Sequence, residues 1–516
     1  MERDMTRRRL LASAGLAATV GAASVAGAAG TDGVEQPSSR ALDPPAVRWN
    51  RAYGPRSYNS ARSILETNDG SLVVLGGAQE SQYGSGADWL FSVDATTGEG
   101  QWSHVFEGGE EPFSTQAVAP ADDGFVLLET PSQGDRSRLR QVSTDGEETW
   151  SQAYEPSIEG ESTQLLGLAL QAVDDGYLVA GYVARDSDTT SADAATALAL
   201  KVDTEGTEQW RHYFLEDRLA LVQTLTADGD GYVASGVMRQ PPENEDERPP
   251  VKSVLFRFDE EGSVTWQTEL VETNDGQTNQ ANRVVDHAST EDGYLLVGVT
   301  GGLVDSSAWV VAADADGSVR TTRTVGPDAE EKRLRLSSVT AGDGTAYATG
   351  MLTDQSADGT RAWLGAMDAN AELGWTETAA RKQTNQFQDV VTTSDGGIAI
   401  AGQAQTDDDT ADTPGEAWLV KLGGEAAATP TATPEPTDSP SPTPSPTPEP
   451  TATPEPTDSP TPEPTEMATD EPTEADDAAE TTSDDGAGFG VGTALAALGG
   501  GALLRRGDST ESDDAE

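Results

Sequence analysis

Two stretches, EAWLVKLGGEAAATPTATPEP at 416–436 and VRWNRAY at 47–53, decide how this chain folds. Ala417–Leu422 reads as the third strand of a unit used six times earlier. In the earlier units that strand runs through a glycine turn into a fourth, as in TEGTEQWRHYF at 204–214. Here it drops into Thr-Pro repeats instead. VRWNRAY has the sequence of a fourth strand, with an aromatic near its start, but it precedes every complete unit. The last unit lacks a strand and the first has one to spare.

The period comes from a recurrent turn. Its glycine, usually in Asp-Gly, falls at Gly70, Gly124, Gly176, Gly231, Gly293, Gly344 and Gly396, 326 residues over six intervals, or about 54 each. Around these lie short runs rich in apolar and β-branched residues, such as SLVVLGG, YLVAGYV and GIAIAGQ. A second apolar run follows in each unit: DWLFSVD, SRLRQVS, ALALKVD, VLFRFD, AWVVAAD, AWLGAMD and AWLVKL. Then come QWSHVF, TWSQAY, QWRHYF, TWQTEL and GWTETA, with Thr321 where the fifth unit should have Trp. Their length, β-propensity and turn punctuation predict strands, and Asp-Gly suits tight hairpins because glycine tolerates positive φ. The polar segment before each marker supplies a first strand, giving four per unit. All ten Trp lie on this grid, which argues for packing between sheets. Repeats of this length whose ends are complementary predict an all-β, seven-bladed β-propeller of four-stranded blades, its last blade closed by the N-terminal strand. An open solenoid or two stacked sandwiches would not explain the half-units, and an open array would leave strand edges to mispair.

The units resemble the DGGY and W-L-x-K-x-D repeats of secreted archaeal and bacterial propeller proteins. That resemblance covers 47–425 and implies the fold, not an activity.

Composition narrows the partners. Residues 1–46 carry five charges of each sign, and 426–516 carry 20 acids and two arginines. That leaves 64 acids against 25 bases on 47–425, a net charge of −39. Nothing there would neutralise nucleic-acid phosphates. There is no cysteine, hence no disulfide, thiolate nucleophile or Cys-ligated metal. Five Lys against 27 Arg on an acidic domain resembles proteins of extremely halophilic archaea, in which salt screens self-repulsion. An acidic secreted protein from a GC-rich genome is the plainer alternative.

The ends read as addresses. Thr6-Arg7-Arg8-Arg9-Leu10-Leu11, followed by an Ala/Gly-rich stretch and Ala26-Gly27-Ala28, resembles a twin-arginine signal (1–30), with Arg7 and Arg8 as its pair. That resemblance implies the twin-arginine translocase as a partner; an uncut basic membrane anchor is the alternative. A linker (31–46) leads to the propeller (47–425). Residues 426–486 are rich in Thr, Ser, Pro and Glu, and read as a disordered, extended stalk with many potential O-glycan positions. An apolar helix (487–506) ending in Arg505-Arg506 and an acidic tail (507–516) follow, so the C-terminus reads as membrane-proximal. This end resembles an archaeal PGF-CTERM sorting signal, with Gly488 and Phe489 in the tripeptide and Ala487 in place of its proline. The resemblance implies an archaeosortase; a plain transmembrane anchor is the alternative.

Chemistry is harder to find. Asp94–Trp102 resembles the Asp-x-x-Thr-Gly-x-x-x-Trp docking motif of quinoprotein dehydrogenases, which implies blade locking and, more remotely, a quinone cofactor. His104, His212 and His287 fall in different units, against a histidine-held metal. Asp314-Ala315-Asp316-Gly317 is half a calcium loop, for which a solvated turn is the plainer reading; calcium is not supported. No cofactor is expected. The loops between second and third strands vary most, as in RQPPENEDERPPVKS, and share a face with the connectors between blades. Recognition concentrates on such variable loops. The expectation is a surface module binding a glycan or protein partner at a channel mouth that includes Arg62, Gln116, Asn282, Arg283 and Gln388. The alternatives are a carbohydrate-active lyase or hydrolase using channel acids, an assembly scaffold, or a quinoprotein-like dehydrogenase.

Overall fold

The computed structural model describes residues 43–424, apart from 82–85, 108–112, 132–135, 157–162, 186–194, 216–217, 241–249, 275–276, 279–280, 302–305, 327–331, 355–358 and 407–413. The export signal, the stalk and the C-terminal helix expected from the sequence lie outside the described residues.

The described chain is a seven-bladed β-propeller of four-stranded antiparallel sheets. First strands begin at Tyr58, Phe113, Thr163, Leu219, Ala281, Lys332 and Thr384; three strands follow in order outward in the first six blades and two in the seventh. The seventh blade borrows its fourth strand from the N-terminus. Val47–Tyr53 pairs antiparallel with Gly415–Gly423, with Val47 opposite Leu422 and Tyr53 opposite Ala417. The register skips between Val47 and Trp49, and the fourth strands of blades 1 to 6 carry the same irregularity. The borrowed strand thus matches its covalently linked counterparts in detail.

Second and third strands are buried on both faces, as SLVVLGGAQ and ATALALKV show, because each sheet lies between two others. Most of their runs are therefore continuously apolar, with SRLRQV of blade 2 an alternating exception. Fourth strands alternate, since one face meets solvent. Core clusters cross blade boundaries. One joins Trp49, Ala399, Ala401, Ala417 and Leu419 of blade 7 to Ile64, Leu72, Val74, Trp89 and Phe91 of blade 1, so closure is a packed joint.

Neighbouring blades dock through the turn between third and fourth strands. Gly98, Gly146, Gly206, Gly262 and Gly317 have φ between 70° and 81° in these turns. A Cβ added to each would come within 2.3–2.8 Å of a ring on the preceding blade: Trp49, His104, Trp150, His212 and Trp266 respectively. Asp94–Trp102 supplies one such turn, with Asp94 capping it through the Thr97 N–H and hydroxyl at 2.7 and 2.8 Å. Asp314–Gly317 supplies another, where Asp314 pairs with Arg320 at 2.9 Å. The fifth blade is the exception. Thr321 replaces the ring, and the facing turn has Ala371 at φ 59° where the others have glycine. Without an aromatic ring opposite, that position holds a Cβ, buried at 1% exposure.

Candidate binding site at the channel mouth

A bulge in every first strand builds the channel wall. The ladder to the second strand skips one residue in each blade: Arg62, Gln116, Leu168, Gln223, Val285, Ser337 and Gln388. Such a bulge bends a strand and re-aims side chains. Opposite it stands Gly76, Gly181, Gly236, Gly298, Gly350 or Gly402, where a Cβ would fall 2.0–2.1 Å from a first-strand carbonyl oxygen. Only glycine lets the two backbones meet so closely. Blade 2 departs: Glu129 stands there, 2% exposed, held by Arg138 at 2.5 Å and Arg140 at 2.5 Å.

The bulged residues are half-buried, and three of the five residues expected at the mouth are among them. Arg62 donates to Asp88 (2.5 Å) and to the Gly76 carbonyl (3.0 Å), while Asp88 accepts from the Thr115 N–H and hydroxyl of blade 2. Gln116 donates to the Ser114 carbonyl at 3.2 Å, and Gln388 accepts from Gln386 at 3.2 Å. Arg283 lies two residues before its bulge, half-buried. Asn282 belongs elsewhere. It is 0% exposed, and its amide oxygen accepts from the Glu272 N–H (2.8 Å) and Thr300 hydroxyl (2.9 Å), fixing the connector between blades 4 and 5. Asn59 and Asn385 do the same at equivalent positions.

The residue after each bulge completes the wall: Ser63, Ala117, Ala169, Thr224, Asp286, Ser338 and Asp389. Four of these form a hydrogen-bonded chain across consecutive blades. Ser338 Oγ lies 2.9 Å from Asp286 Oδ2 and 2.8 Å from Asp389 Oδ1; Asp389 Oδ2 accepts from the Ser63 hydroxyl (3.0 Å) and the Ile64 N–H (2.9 Å). A serine hydroxyl has one hydrogen, so it cannot donate to both acids. Asp389 already accepts from Val390 N–H, Ser63, Ile64 and Ser338, as an ionised carboxylate can. Asp286 likewise accepts from the His287 and Val339 N–H groups, at 2.8 and 2.9 Å. Burial within the channel wall, with the Asp389 charge adding to it, pushes Asp286 up to about 7. Burial also raises Asp389.

Sequence reading passed over Asp286, Ser338, Asp389, Gln223 and Arg335. A signal existed: the wall residue stands seven before the marker glycine in six units and six before it in the sixth. His287 is core. It bridges Thr226 and Ser235 of blade 4, each at 2.9 Å, and burial pushes it down to about 4, so the ring is neutral.

No family model matches the chain, and no curated protein matches it. Among solved structures it is similar to the β-propeller domain of the Trilobed protease from Pyrococcus furiosus (10% identity, TM-score 0.42, 72% of this chain and 95% of that one). It is also similar to polysaccharide lyase Uly1 (14%, 0.41, 70% and 90%) and to phage phi92 endosialidase (9%, 0.39, 74% and 70%). At these values the likeness carries nothing about ligand or activity.

Proposed function

We propose that this protein is a cell-surface binding module whose propeller presents its loop-bearing face to a glycan or a protein partner. In this reading a twin-arginine signal exports it, and a Thr/Pro stalk and the C-terminal segment hold it at the membrane. One observation carries the binding role: polar atoms at the channel mouth are buried without a hydrogen-bond partner, namely Arg62 Nε, Gln223 Oε1 and Arg283 Nε. Such atoms also occur elsewhere among the described residues, as at Trp210, Trp309 and Arg320, but these three stand on innermost strands, where a ligand in the channel could supply the partner. The opposite face uses its short turns to dock blades. Binding of the full chain to isolated envelope polysaccharide and envelope protein tests this. Gln116→Ala, Gln223→Ala and Gln388→Ala together should weaken binding at least tenfold, and Glu205→Ala on the opposite face should not. Equal effects would refute it.

A second reading rests on the channel acids. Two buried carboxyls joined through one serine hydroxyl, both pushed upward by burial, are the kind of pair that general acid–base hydrolysis uses. Turnover on a glycan panel that disappears in both Asp286→Asn and Asp389→Asn would favour an extracellular carbohydrate-active enzyme.

A further inference from the structure

We infer that the mouth over blades 4 to 6 is an oxyanion subsite, centred on Arg283, for a uronate or sulfate group of an acidic polysaccharide. This rests on the binding reading above and names its ligand class. The propeller carries 64 acids against 25 bases, so acceptors for arginine are plentiful. Described arginines on the wall and between blades use them: Arg62 with Asp88, Arg140 with Glu129, Arg257 with Asp228 and Asp230, and Arg320 with Asp314. Arg283 does not. Among the described residues no carboxylate or carbonyl accepts from it, and its Nε is shut off from water without an acceptor.

Burial pulls its guanidinium down, and the charge acting on it is a second cation, Arg239, at the end of the second strand of blade 4. A partly desolvated guanidinium with no acceptor is costly, and an anion beside it offsets that cost. Arg335 holds the same register position on blade 6, opposite Met351 as Arg283 is opposite Val299. It is exposed, and it too has no acceptor among the described residues. Planar guanidinium groups match carboxylate and sulfate oxygens in pairs. The neighbouring first strands offer Gln223, with its unpartnered amide oxygen, and Ser337, groups suited to sugar hydroxyls.

The full chain is titrated calorimetrically with trigalacturonate, its neutral methyl ester, a sulfated galactose trimer and a glutamate trimer. One or both acidic sugars should bind, the methyl ester at least tenfold more weakly, and the two acidic sugars separate carboxylate from sulfate. Arg283→Gln should cut that affinity at least tenfold and Arg335→Gln about threefold, while the melting temperature of Arg283→Gln stays level or rises as a partly buried charge without an acceptor is removed. Equal binding of the methyl ester, unchanged affinity in Arg283→Gln, or glutamate trimer binding as tightly as the sugars would overturn the inference. If no acidic sugar binds, it falls too, whereas the wider binding reading falls only if the Gln116, Gln223 and Gln388 substitutions weaken envelope binding no more than Glu205→Ala.

Discussion

The two faces of the ring are made from the same seven sheets, yet they follow different rules. On the turn face, chemistry repeats with geometry: five glycines at positive φ lie under five rings of the preceding blade. Along the channel the backbone device repeats, with its facing glycine in six blades, but the side chain it presents does not. All seven first strands carry the bulge at one register position, but it holds Arg, Gln, Leu, Gln, Val, Ser and Gln in turn. Where a side chain must fill a fixed gap between blades, few residues serve. Where the bulge fixes only where a half-buried side chain emerges, residues as different as Arg, Leu, Gln and Ser serve, and that latitude is what a ligand site needs. The joint of blades 5 and 6 blurs the contrast, because there the turn face also departs from its rule. That joint holds a groove of about 310 Å3 lined by Ser289–Asp292 and Ala341–Ala346.

Breaking closure should have the largest effect. Deleting Val47–Tyr53 removes the ladder to Gly415–Gly423 and the Trp49 and Tyr53 bonds to the Ala95 and Gly98 carbonyls, at 2.9 and 2.6 Å. We expect a loss comparable to the net stability of a domain, about 5–15 kcal/mol. Hydrogen exchange should show blades 7 and 1 losing protection together. A variant still protected in both blades would refute closure by this strand.

Next comes the backbone contact behind each bulge. Gly298→Ala puts a Cβ 2.0 Å from the Arg283 carbonyl oxygen and should cost about 3 kcal/mol or more. Gly70→Ala on the turn face meets nothing within 4 Å, so only its φ of 78° counts against it, about 1 kcal/mol. Denaturant midpoints of the two variants measure the difference.

Docking rings come third. Trp266→Ala should cost about 2–3 kcal/mol, since its ring covers Gly317, while Thr321→Ala should cost under about 0.5 kcal/mol. Installing the missing pair, Thr321→Trp with Ala371→Gly, should be more favourable than the sum of its parts. A double-mutant cycle with no coupling would show that the exception has another cause.

The smallest effect is pH-dependent. Asp286 has a folded pKa of about 7, above its unfolded value, so the native state binds more protons between roughly pH 4 and 7. Its contribution is complete below about pH 4 and is lost as pH rises through 7, about 1–3 kcal/mol after allowing for partial exposure. Asp286→Asn should flatten stability over that range. An unchanged slope would show that Asp286 does not titrate above its unfolded value.

Much of this was legible in the chain. The period of about 54, the Trp grid and the orphan strand VRWNRAY gave blade number and closure; the Asp-x-x-Gly turns were legible too, but not that each meets a ring of the preceding blade, which is His104 or His212 in two of five. Arg62, Gln116 and Gln388 could be placed on the wall from the polar first strands. Asn282 could not, because a polar residue at the mouth and one buried beneath a connector look alike in a polar segment. Only its recurrence with Asn59 and Asn385 separates them.

By itself, the sequence determined the ring, since periodic apolar runs can bury both faces only if every sheet has two neighbours, and complementary ends supply them. The tertiary structure alone decided which charges meet. Asp286 and Asp389 are 103 residues apart and share Ser338, while Arg283 has an arginine for its charged neighbour. Those encounters depend on how seven bulges aim their side chains across a common axis, and a linear repeat carries no record of that convergence.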